Sequence, residues 1–267
     1  MKQNIANDTS LIITTYNRPV FLEMVFKSVL RQQTMPSEVI VADDGSTAET
    51  RELIEHYQTL FPVPLIHSWI PDEGFRLSMS RNVAIAKAKG DYIIVIDGDV
   101  VLGPSFVRDH VLARERGYFI NGSRARLSKE ATRKHCATLD ARFTVFTPGL
   151  KRPMVMLRMP WLHHLIKGAT GIDKIRGCNM SFWKSDLVAV NGYEERITGW
   201  GCEDTELVDR LYHIGVKRKN IKGLAPCVHL YHSQPAENNA THKVNIKIRE
   251  ETEHLRKTRT DKGLDQY

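Results

Sequence analysis

Asp97 and Asp99 end the run Val95-Ile96-Asp97-Gly98-Asp99-Val100-Val101, where an apolar stretch that reads as a buried strand gives way to two carboxylates one glycine apart. A buried carboxylate is costly unless compensated, so this pair implies a cation, a basic neighbour or an exit into solvent. If the strand continued, both side chains would point to the same side. Two hard oxygen donors suit Mg²⁺ or Mn²⁺, which bind through one or two carboxylates plus substrate phosphates. A salt-bridged loop is the plainer reading of the same residues.

A second constellation runs Thr198-Gly199-Trp200-Gly201-Cys202-Glu203-Asp204-Thr205-Glu206-Leu207. Two carboxylates at the start of a helix are favoured by its dipole and free N–H groups, so a capped helix accounts for part of it. Trp200 between two glycines is well placed to stack on an apolar ligand face. Beside it, Asp204 or Glu203 is a candidate general base. In the third, Val228-His229-Leu230-Tyr231-His232, two histidines near a strand end either complete a metal shell or are structural.

The elements that must position these groups alternate. The pattern predicts strands at 11–15, 39–42, 64–67 and 92–96, with helices at 20–31, 48–60 and 78–89 between them. Short apolar strands alternating with amphipathic helices imply an α/β fold with a largely parallel sheet covered on both faces. In such sheets ligands bind beyond the carboxyl ends of the strands, where "TTYNRP", "DDGS" and "DGD" all fall. From Asp140 to Arg176 the pattern dissolves into an irregular, basic, methionine- and proline-containing stretch, either a binding loop or an irregularly packed insertion. Order returns with a strand at 177–183, a helix at 203–213 and a strand at 226–231. The tail from 243 to 260 reads as a charged helix, with a solvated face as its commonest meaning and docking on the body or on an anionic surface as the alternatives.

The 267 residues carry 38 Lys and Arg against 31 Asp and Glu, a formal net charge of +7, which suits an anionic partner. No apolar run approaches the ~20 residues that span a bilayer, and "MKQNIANDTS" lacks the layout of a signal peptide, so a cytoplasmic protein is expected. The four cysteines form no CxxC pair, which leaves neither a zinc nor a redox motif. No nucleic-acid-binding motif is recognisable, and no G-x-G-x-x-G follows the first strand, which disfavours a dinucleotide-binding oxidoreductase.

Taken in order, "SLIITTYNRP", "VIVADDGS", "SRNVAIAKAKGDYIIVIDGDVV" and "GCNMSFWKSDL" resemble family 2 glycosyltransferases with the GT-A nucleotide-diphospho-sugar transferase fold, which implies a mixed central sheet with helices on both faces. "TGWGCEDTELVDRL" is similar to the acceptor-side motif of β-1,4-galactosyltransferases and chondroitin-polymerase-type bacterial enzymes. The resemblance implies one domain over residues 1–240, with a nucleotide-binding half at 1–101 and an acceptor-binding half at 102–240, followed by a basic helical tail at 241–267. It implies that Thr15, Tyr16, Asn17 and Arg18 line a nucleotide pocket, with Asp43 or Asp44 at the uracil, Arg81 near the donor and Asp97 facing the ribose or sugar. Asp99 and His232 would hold the metal, while His229 falls where galactosyltransferases have a methionine ligand. Asp204 matches the family's catalytic base, Glu203 its acceptor-binding neighbour, and Trp200 part of the sugar platform.

That chemistry needs a leaving nucleoside diphosphate stabilised by a divalent ion and basic groups, and a base across the anomeric carbon to take the acceptor proton. One base without a covalent nucleophile inverts the anomeric configuration. The expected protein is thus a metal-dependent transferase moving a hexose or N-acetylhexosamine from a UDP-sugar to a glycan or glycolipid, such as lipopolysaccharide core or capsule, in contact with the inner face of the membrane. A sugar nucleotidyltransferase is a rival, but would carry a glycine-rich basic loop where "TTYNRP" stands. A non-catalytic glycan- or nucleic-acid-binding protein would have no use for Asp204.

Overall fold

The structure, a computed structural model, describes residues 4–161, 168–169, 172, 175–233 and 240–267. Strands are β1 (Asn4–Thr15), β2 (Thr34–Asp43), β3 (Leu65–Trp69), β4 (Tyr92–Asp97), β5 (Val100–Leu102), β6 (Tyr118–Gly122), β7 (Ala125–Leu127), β8 (Leu150–Lys151), β9 (Gly168–Ala169), β10 (Asn179–Trp183), β11 (Lys217–Ile221) and β12 (Cys227–His229). Helices are α1 (Pro19–Val29), α2 (Ala48–Gln58), α3 (Leu77–Lys87), α4 (Phe106–Ala113), α5 (Lys129–Thr138), α6 (Lys184–Ala189), α7 (Glu203–His213) and α8 (Ala240–His254). Among the described residues, eight strands form one sheet in the order β3-β2-β1-β4-β10-β6-β11-β9, and four form a smaller one, β5-β12-β7-β8.

The expected strand–helix alternation through residue 97 is present, with β1 and β2 running longer than the apolar pattern indicated. β3, β2, β1 and β4 are parallel, but β10 runs antiparallel between β4 and β6, so the sheet is mixed. Alternate residues of the central strands feed different faces. Leu11, Ile13, Ile94 and Ile96 pack with α1 and α4, while Ile12, Ile93 and Val95 pack with α3 and α7 through Ala84, Ile85, Leu207 and Leu211. α3 and α7 therefore share a face, although 115 residues separate their nearest ends (Glu203 less Lys87 spans 116 positions).

Three features differ from the sequence pattern. The strand ending in Asp97 does not continue: residues 98 and 99 turn before β5, so the two carboxylates face different partners. The stretch 102–139, left without elements, contains α4, β6, β7 and α5, each too short or too polar for a clear period. The charged tail helix docks: Asn245, Ile248 and Thr252 of α8 are buried, Thr252 Oγ1 donates to Glu206 Oε1 at 2.9 Å, and Arg249 pairs with Asp209 at 2.8 Å. The irregular stretch after Asp140 holds β8 and a short 3-10 turn at 153–156, and its residues 162–167, 170–171 and 173–174 lie outside the described set. No helix of the described residues is long and apolar enough to cross a membrane.

Candidate active site

The turns after β1 and β2 lock together. Parallel pairing sets Thr15 beside Asp43, and Asp44 N donates to Thr15 O at 3.1 Å. Asn17, at φ 47°, donates its backbone N–H to Ser46 Oγ at 2.9 Å and accepts from Thr47 N at 2.9 Å, a left-handed geometry asparagine tolerates. Tyr16 donates to Asp72 at 3.1 Å, and this hydrogen bond raises its pKa. Asp43 accepts from Ser46 N at 2.8 Å and meets His67 Nε2 at 2.7 Å, so both its oxygens are engaged. Asp44 accepts from Arg76 N at 2.8 Å through one oxygen, while its other oxygen is buried with no hydrogen-bond partner among the described residues. Burial pushes the Asp44 carboxyl up to about 6.

Asp99 lies in the turn between β4 and β5. Antiparallel pairing of β12 with β5 sets His229 opposite Val100, and Leu230 N donates to Asp99 O at 2.9 Å, which brings the histidine strand against the carboxylate. His232 Nε2 is 2.9 Å from Asp99 Oδ2, His229 Nε2 is 3.4 Å from Oδ1, and Arg18 Nη1 is 3.6 Å from Oδ2. Burial pushes His229 down to about 4, which keeps its imidazole neutral at pH 7. His232 Nδ1 donates to Ser233 O at 2.9 Å, while Nε2 faces the Asp99 carboxylate, whose hydrogen bond raises the His232 pKa; with the proton held on Nδ1, Nε2 would be the atom to coordinate a cation. One ligand atom from each of Asp99, His229 and His232 falls within 4.8 Å of the others, and Asp99 Oδ1 is buried without a hydrogen-bond partner among the described residues. This donor set fits a divalent cation.

Asp97 turns the other way, toward α3 and α7. Arg81, 1 % exposed, reaches Asp97 at 3.3 Å, Asp204 at 2.9 Å and Glu203 at 3.5 Å, with its guanidinium over the Tyr193 ring at 4.9 Å. Arg81 is thus the buried counter-ion of three carboxylates. One cation against three anions leaves an acidic pocket: burial and the neighbouring Asp204 push Glu203 up to about 7 against the pull of Arg81, and burial raises Asp97 to about 6. Glu203 and Asp204 open α7 behind Cys202, which sits at φ 75°. The helix is anchored by the fully buried pair Arg210–Glu206, bonded at 2.8 and 2.6 Å. Trp200 is half-buried, its ring 5.3 Å from that of His242.

The predicted residues fall into two groups on one chain of contacts. Asp99, His229, His232 and Arg18 form the first, and Asp97, Arg81, Glu203 and Asp204 the second, joined through residues 97–99. Thr15, Asn17, Asp43 and Asp44 form the adjoining turn pair, while Trp200 leads into α7. Two contributors carried no sequence signal as site residues. Gly177 lies against Asp204: a Cβ there would sit 2.1 Å from Asp204 Oδ2, so only glycine lets the carboxylate occupy this position. Tyr193 supplies the ring under Arg81, its hydroxyl buried without a hydrogen-bond partner among the described residues.

A family model, "Glycosyl transferase family 2", matches residues 10–172, more than half of the chain. The chain belongs to glycosyl transferase family 2. A second model, described as the N-terminal domain of galactosyltransferase, matches residues 164–233 of this family 2 chain, the part carrying Trp200, Asp204 and both histidines. Among curated proteins, a chondroitin synthase of Escherichia coli is 26% identical over 263 residues, covering 88% of this chain and 36% of its own length. The chain therefore spans about a third of that relative. Two solved structures have the same GT-A fold at 15% identity: GalNAc-T7 with UDP, GalNAc and Mn²⁺ (TM-score 0.64, covering 91% of this chain and 47% of that one), and S. aureus TarS 1-349 with UDP-GlcNAc (TM-score 0.61, 97% and 69%).

Proposed function

We propose that this chain is a metal-dependent, inverting hexosyltransferase domain that moves a hexose or N-acetylhexosamine from a UDP-sugar to a hydroxyl of a growing surface glycan, forming a β-linkage. The observation that carries the reading is the pairing of a two-imidazole, one-carboxylate donor set with a separate Glu203–Asp204 pair, linked through Arg81 and Asp97. UDP and Mn²⁺ in a structural neighbour, and sugar polymer synthesis by a relative, support it.

Asp99, His229 and His232 would hold Mn²⁺ or Mg²⁺, which when bound supplies positive charge for the departing diphosphate. Arg18, beside Asp99, adds an exposed cation on the same side. The unpartnered Asp44 oxygen is the better uracil acceptor, because Asp43 is already engaged. On the opposite side Asp204 takes the proton from the acceptor hydroxyl, Arg81 holds its carboxylate in place, and Glu203 orients the acceptor beside Trp200. Lipopolysaccharide core or capsule suits the net charge of +7 as a phosphorylated, membrane-attached acceptor. Exposed Phe146, Met154 and Trp161, in a stretch that also bears Arg142, Lys151 and Arg152, support peripheral contact with an anionic membrane.

Calorimetric titration of UDP and GDP, each with and without Mn²⁺, tests the reading. Metal-dependent binding of UDP in preference to GDP is expected. Absence of binding by either nucleotide with Mn²⁺ present would remove it.

A further inference from the structure

Asn245 lies on α8, outside every motif of the sequence. It is fully buried, and its Nδ2 faces three carbonyl oxygens of one turn: Thr198 at 2.8 Å, Gly201 at 3.1 Å and Trp200 at 3.5 Å. Only the amide N–H groups can face three carbonyls, so the orientation of the side chain is fixed. Its Oδ1 is buried with no hydrogen-bond partner among the described residues. A side chain that served only to fill space would be apolar and avoid that unsatisfied acceptor.

Thr241 and His242 lie four and three positions before it, on the same helical face. His242 Nδ1 is 3.3 Å from Trp200 O. Gly199 and Gly201, at φ 69° and 96°, press on this face: a Cβ would come within 2.9 Å of Thr241 Cγ2 at the first and 2.8 Å of His242 Nδ1 at the second. The turn therefore lies on α8 with no space for side chains between them, leaving the Trp200 indole as the one large group it presents. At its other end Gly199 N donates to Phe75 O at 2.8 Å. The same α8 grips α7 through Thr252–Glu206 and Arg249–Asp209.

We propose that Asn245 is a positioning residue for acceptor binding, clamping the Trp200 turn from α8 and fixing the indole relative to the Glu203–Asp204 pair; this rests on the transferase reading above. One helix then sets the register of both the sugar platform and the base. Among the described residues, the side-chain hydrogen bonds of Asn245 go to the Trp200 turn alone, none of them to the turns after β1 and β2.

Asn245→Asp keeps the shape but turns the donors into a carboxylate facing carbonyls, whereas Asn245→Ala removes volume and donors without repulsion. If the donors matter, Asp is the more severe change; if bulk matters, Ala is. Val244→Ala, at a neighbouring exposed position, is the control. Activity is read with a panel of UDP-hexoses and p-nitrophenyl β-glycosides as acceptors. For Asn245→Asp, KM for the working glycoside is expected to rise about tenfold with kcat within about threefold, while UDP affinity in Mn²⁺ stays within about twofold. Hydrogen exchange of the 198–202 segment is expected to quicken about tenfold in Asn245→Asp, less in Asn245→Ala, and not in the control. Equal or greater effects of Asn245→Ala, or parallel loss of UDP affinity, would overturn the clamp. Should the unmodified protein bind no UDP, the transferase reading fails instead, and the order of exchange rates still decides whether Asn245 holds the turn.

Discussion

The turns after β1 and β2 draw their restraints from nearby: Asn17 and Ser46–Thr47 tie to each other across 29 and 30 positions, within two adjacent parallel strands. The turn before α7 is restrained from 44 to 47 positions away by Asn245, and its Asp204 is held by an arginine 123 positions upstream. The first region can form with the local α/β unit, whereas the second exists only once α3, α7 and α8 have packed. A change of residue on the nucleotide side should therefore perturb one ligand, and a change on the other side should perturb geometry shared by several groups.

The sharpest separation comes from Asp204→Asn. Transfer to acceptor is expected to fall by about 10³-fold, with UDP affinity in Mn²⁺ unchanged within about twofold; calorimetry and product assay read the two arms. Next, Asp99→Ala is expected to lower UDP affinity in Mn²⁺ by ten- to about 100-fold and to erase the difference between titrations with and without metal. Gly177→Ala drives a methyl into the Asp204 carboxylate, so a loss of about tenfold in kcat at unchanged UDP affinity is expected. The smallest effect is a pH dependence. Since burial and the neighbouring Asp204 push the Glu203 carboxyl from its ordinary 4.5 up to about 7 in the folded protein, activity is expected to rise with pH through about 7, and Glu203→Gln should flatten that limb. The stability effect has the opposite sign: the folded state binds the extra proton between those values, so stability falls as pH rises through that window. Glu203→Gln should raise Tm above pH 7, with the gain vanishing toward pH 4.5.

The turns after β1 and β2 are legible in the sequence because their signals are local: apolar strands, a proline opening α1 and carboxylates at strand ends are all read within a dozen residues. Asp99 and its histidines were readable as residue types, but their meeting depends on β12 pairing with β5, which no short pattern encodes. Arg81 illustrates the limit. The resemblance implies a place for it near the donor, and its contact with Asp97, Glu203 and Asp204 depends on two helices meeting across the sheet face. Gly177 and Asn245 were silent for the same reason, since a close approach and a three-carbonyl contact are properties of packed surfaces. The tail reads as charged because Lys, Arg and Glu make up nine of its eighteen residues from 243 to 260, while the three buried positions that seat the helix are Asn245, Ile248 and Thr252, only one of them apolar.

β4 has a consequence for anyone dividing the molecule. It is bonded to β1 on one flank and to β10, which begins 82 positions after β4 ends, on the other. A fragment ending after β5 would keep the nucleotide-side turns but leave Tyr92-Ile93-Ile94-Val95-Ile96 as a naked, wholly apolar sheet edge. Such an edge recruits strands from other chains, so the fragment is expected to aggregate unless a segment equivalent to Asn179–Trp183 is supplied to cover it.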